Sequence, residues 1–153
     1  MNRQGAVGAL LDIYEEAIND LKDVIKTISD NALTKIIDEK TTNEDCKSIQ
    51  TILSHVVRSG YIYAINIQNL KGLEIQRPEK VFHLTTAEYL NDLTNVFYYM
   101  ESVFKEIKDK ELEQYDNSLK IKTSWGQLYD IEQLMEHAIV HVLRHKRQIE
   151  KIK

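Results

Sequence analysis

One proline and five glycines in 153 residues leave too few backbone breakers for a fold of many short strands and tight turns. That scarcity favours long helices, and the chain is expected to be all-α. A single cysteine, Cys46, excludes an intramolecular disulfide and suits a reducing compartment. No apolar run reaches the roughly 18 residues that span a bilayer, and the amino-terminal MNRQGAVGALLDIYEEAIND turns acidic where a secretory signal stays apolar. Basic excess is missing as well: 20 Lys and Arg against 24 Asp and Glu give a formal charge of −4, with no general attraction to phosphate backbones or anionic lipid. The expectation is a cytoplasmic protein with neither a membrane nor a nucleic acid as partner.

What the chain does have is apolar periodicity. Its length suits one domain over residues 1–153, and spacings of three and four mark four amphipathic segments. The first, from about Gln4 to Asp30, carries Leu10, Leu11, Tyr14, Ile18, Leu21 and Ile25. A second runs from about Lys47 to Lys71 and contains Gly60, which marks close approach of a neighbouring helix or of a ligand. Pro78 interrupts the period, and Thr85 with Glu88 then forms a T-x-x-E cap that starts a third helix, continuing to about Lys110. Asp130 with Gln133 caps a fourth that extends almost to Lys153. The segment between Glu111 and Tyr129 is polar and reads as a loop. Connections of this length predict a four-helix bundle with a long crossover rather than tight up-down turns.

Histidine is the informative residue type. His137, His141 and His145 recur at a spacing of four in EHAIVHVLRHKRQI, so neighbours in the series share one helix face. Ile131, Leu134, Ala138, Val142, Ile149 and Ile152 set the buried direction of that helix. At about 100° per residue, His145 lies roughly 30° from it, His141 roughly 70° and His137 roughly 110°, which selects His141 and His145 as the inward pair. Zinc sites with an open position commonly use three protein ligands, and His55 in ILSHVVRSG is the candidate third, on a flank of the second helix. The competing reading is that histidines at this spacing are solvated or packed as neutral core residues. His83, beside Phe82, is read as structural or exposed. The basic tail RHKRQIEKIK is read as charge favouring the negative end of the helix dipole, with phosphate binding the lesser alternative.

At these residues the chain resembles the DinB-like (DinB/YfiT) superfamily of metalloenzymes. Members carry one histidine early in the second helix and an H-x-x-x-H pair on the last; here ILSHVVRSG and HVLRHKRQI supply His55, His141 and His145, with Gln148 in the family place. HKRQ stands where many relatives have H-R-G-Q, a departure that leaves the ligands intact.

The resemblance implies a bundle of up-down-down-up topology, a divalent metal between helices two and four, and a homodimer. Tyr98, Tyr99 and Phe104 add large apolar groups in favour of the dimer. Zinc or nickel fits three imidazoles first, with iron, manganese or copper as alternatives. Gln148, His137 and Tyr63 are candidates to support the ligands or wall the cavity.

An open site of this kind activates water or holds a thiolate. Characterised relatives act with low-molecular-weight thiols, so a thiol-dependent S-transferase or a metal-assisted hydrolase is expected. The alternative is a non-catalytic binding or stress-response module stabilised by its metal. No acid and base pair singles out catalytic residues.

Overall fold

The computed structural model describes residues 2–153 and contains four long helices. They are α1 (Gly5–Ile25), α3 (Ile49–Leu70), α4 (Thr86–Phe104) and α5 (Ile131–Ile152), with a short α2 (Asp30–Thr34) after the first. α1 and α3 each pack against both α4 and α5. Their apolar stripes meet in one core, in which Tyr14, Leu21, Leu53, Tyr89, Leu93, Met100 and Leu134 are all buried. No helix among the described residues is long and apolar enough to cross a membrane.

The caps place the two helices that matter most for the site. Ser48 Oγ accepts from the Thr51 amide at 3.1 Å while Thr51 Oγ1 accepts from the Ser48 amide at 3.0 Å, so α3 starts at Ile49. Asp130 and Gln133 make the same reciprocal pair at the start of α5, at 2.8 and 3.0 Å. At α4 only half of the box forms: Thr85 Oγ1 accepts from the Glu88 amide at 3.3 Å, while the Glu88 carboxylate turns to the Thr85 hydroxyl.

Three boundaries depart from the periodic reading. The first helix ends at Ile25 rather than near Asp30, because Ser29 accepts from the Ala32 amide at 3.1 Å and caps α2 instead. Ile28 stays in the core through the turn, which is why the apolar spacing seemed to continue. The third helix stops at Phe104, short of Lys110, and Asp109 Oδ1 accepts the Val7 amide at 2.9 Å near the start of α1. Within the polar segment, Ile121–Lys122 (β1) and Leu128–Tyr129 (β2) form a small antiparallel ladder closed by Gly126, whose φ of +92° suits a residue without a Cβ.

Gly60 is a point of close approach. A Cβ built there falls 2.5 Å from Val96 Cγ1, so the α3–α4 contact depends on the missing side chain.

Candidate metal centre

His55 lies on the first half of α3, and His141 and His145 lie on successive turns of α5. The structure brings these three together. One ring nitrogen from each falls within 4.8 Å of the other two, and the Nε2 atoms of His55 and His141 are 2.9 Å apart. Ring centroids are 4.9 Å apart for His55 and His141, 5.1 Å for His55 and His145, and 4.5 Å for His141 and His145. All three rings are half-buried, so the flank position of His55 faces α5 rather than bulk water.

Partners behind the rings fix which nitrogen carries the proton. His55 Nδ1 faces Asp45 Oδ2 at 3.3 Å, and His145 Nδ1 lies 2.8 Å from Gln148 Oε1. The Gln148 amide nitrogen is directed at Cys46 Sγ at 3.7 Å, which leaves its oxygen as acceptor for the imidazole. His145 therefore carries the proton on Nδ1 and turns an Nε2 lone pair toward the centre, and the Asp45 charge favours the same tautomer for His55, the arrangement metal-bound histidines use. Gln148 thus contacts a histidine of the triad. Asp45 was not foreseen. It sits in a 3₁₀ turn, Glu44–Cys46, ordered by Asn43 Oδ1 accepting from the Asp45 amide at 3.0 Å, and also pairs with Lys80. Its only trace in the sequence is a carboxylate in the polar stretch before α3.

Burial sets the protonation state. It pushes His141 down to about 3, aided by the nearby histidines and Arg144. Burial also lowers His55, against the opposing pull of Asp45, and lowers His145, against the hydrogen bond it donates to Gln148. At neutral pH all three rings are uncharged, the form that binds a metal. The donor set fits a divalent ion that accepts imidazole, zinc and nickel among them. Among the described residues no fourth His, Cys, Asp or Glu joins the cluster.

A family comparison matches the DinB family over residues 1–151. The chain belongs to the DinB family. A search of the curated proteins gives no match.

In this DinB-family chain the histidines open on a cavity of about 620 Å³, whose wall includes Cys46, Gln148 and Arg144. His137 stays outside the triad. Trp125 stacks on it at 4.7 Å with ring planes 20° apart, and the Tyr129 hydroxyl lies 3.4 Å from its Nδ1. Trp125 therefore covers His137 rather than walling the triad's cavity. Tyr63 is buried in the core with its ring 5.6 Å from that of His137 and 5.8 Å from that of His141, so it backs the site as packing. His83 is half-buried and bridges Asp92 at 2.6 Å and Glu88 at 3.1 Å, the structural role expected of it.

Proposed function

We propose that this DinB-family protein is a metal-dependent enzyme in which His55, His141 and His145 hold one divalent ion, zinc or nickel first, and that it transfers a small thiol to an electrophile. The observation that carries the reading is the pairing of three converging, neutral imidazoles with an adjoining cavity of about 620 Å³ and, among the described residues, no fourth His, Cys, Asp or Glu in the cluster. A closed fourth position would instead mark a structural site.

What an ion supplies there is positive charge that lowers the pKa of a thiol or water brought to it. The chain's own residues prepare the place. Burial on α3 and α5 keeps the rings neutral, while Asp45 and Gln148 hold two of them in the tautomer that offers Nε2. The same cavity serves metal-assisted hydrolysis if water takes the thiol's position, and this is the second reading.

Direction of the helices belongs to the same proposal. Contacts of Ser54 with Tyr89 and of Tyr61 with Tyr99 support parallel α3 and α4. Those of His55 with His145 and Tyr63 with His137 support antiparallel α3 and α5. Together with the pairs Arg3 with Glu101 and Lys22 with Thr94 they favour an up-down-down-up order, with residues 71–85 as the crossover.

The test is an assay of zinc- and nickel-loaded protein with glutathione or cysteine and 1-chloro-2,4-dinitrobenzene, in which a carbon–sulfur bond forms as chloride leaves. A rate above the metal-free control, lost in His141→Ala, is expected. Equal rates with and without metal would overturn thiol transfer to this electrophile class.

A further inference from the structure

All but one of the α5 side chains that line the histidine cavity fall on one helical stripe: His141, Arg144, His145, Gln148, Lys151 and Ile152 follow at spacings of three and four, with Arg147 beside it. The stripe that supplies two histidines therefore also carries two cations, Arg144 between the histidines and Lys151 near the end of the helix, and Arg147 flanks it.

The charge on this wall runs against the composition of the chain. Acidic side chains outnumber basic ones 24 to 20 overall, yet the residues lining the cavity include Arg144, Arg147 and Lys151 and no carboxylate. Asp45, the carboxylate behind His55, is occupied by Lys80 and the imidazole. Among the described residues none of the three cations forms an ion pair, whereas Lys146, on another face, reaches Glu150 at 3.7 Å. A helix dipole rewards cations near the C-terminus but does not choose the side of the helix they occupy. Unpaired cations gathered on one side of a concave, half-open space raise the local concentration of anions.

We propose that the ligand of this cavity is a small molecule bearing a carboxylate or phosphate, held at the mouth by Arg144, Arg147 and Lys151 while its other end reaches the three histidines. This names the substrate class of the site proposed above and rests on that reading for what happens at the histidine end. Arginine offers a planar fork matched to two oxygens of either anion, and lysine a point charge. Because the cations and the triad line one cavity, a single molecule in it can engage both, and the anionic group then orients the part that reacts.

The test is two-dimensional amide NMR of the zinc-loaded and metal-free protein, titrated at constant ionic strength with succinate, with inorganic phosphate and with the neutral succinamide. Saturable shifts over the last turns of α5 are expected with an anion and not with succinamide. The tighter of succinate and phosphate names the group. Arg144→Gln/Lys151→Gln is expected to weaken anion binding at least tenfold while taking up zinc as the parent does.

No saturable shift with either anion, equal shifts with succinamide, or unchanged affinity in the double variant would overturn the proposal. The two readings separate cleanly. Anion binding in a protein that takes up no zinc would end the metal-centre reading and leave this one standing, and zinc uptake without anion binding would do the reverse.

Discussion

An imidazole gives a metal its lone pair only when neutral, and burial ensures this for His141, whose pKa it pushes down to about 3, with His55 and His145 also lowered. The same shifts cost stability in acid. An unfolded histidine titrates near 6.5. Between that value and the lower folded ones the unfolded chain binds more protons, so stability is full above about pH 6.5 and is lost as pH falls. Metal-free protein is expected to lose melting temperature between pH 7 and 5 more steeply than metal-free His141→Gln; equal slopes would deny the buried neutral ring. Behind the ligands, Asp45→Asn and Gln148→Ala are each expected to weaken zinc binding about 10- to 100-fold, since such partners orient the ring and raise its basicity. Competition against a zinc indicator measures this, and unchanged affinity would reduce both contacts to packing. His141 and His145 were legible because they share a helix with its own apolar stripe, and Gln148 because it stands in the place the family resemblance implies. Asp45 was not, because its position depends on a three-residue turn that brings it behind His55.

Among the helices, the contact between α3 and α4 turns on Gly60. Alanine there gains about 1 kcal/mol of helix propensity, but its Cβ would stand 2.5 Å from Val96 Cγ1 in the core. Overpacking commonly costs about 1–3 kcal/mol, so Gly60→Ala is expected to destabilise by about 1 kcal/mol. Adding Val96→Ala should cost less in that background than in the parent, as read from urea unfolding; additive effects would contradict the close approach. Caps with side chains at fixed offsets, Thr85 and Asp130, were legible and mark two of the observed helix starts. Endings were harder. Ile28 and Ile107 keep the apolar rhythm past the last helical turn because the chain folds back and buries them in turns. The β1–β2 ladder escaped notice because two residues per strand carry no period to detect.

At the scale of the whole molecule, four helices close around one core, and what remains outside it bears on assembly. Of the aromatic residues behind the homodimer expectation, Phe104 is core and Tyr99 is partly buried with its hydroxyl on Gln68, which leaves Tyr98 exposed with Ile13 on α1. If two copies pair through these helices, sedimentation is expected to show a concentration-dependent dimer that Tyr98→Glu weakens, while a monomer at every concentration would end the idea. The bundle's central consequence is that two helices distant in sequence aim three imidazoles at one point. Stoichiometric zinc titration of the parent and of His55→Ala, His141→Ala and His145→Ala tests this most directly. One tightly bound ion per chain in the parent and loss of tight binding in every variant are predicted; undiminished zinc binding in His141→Ala would contradict the account.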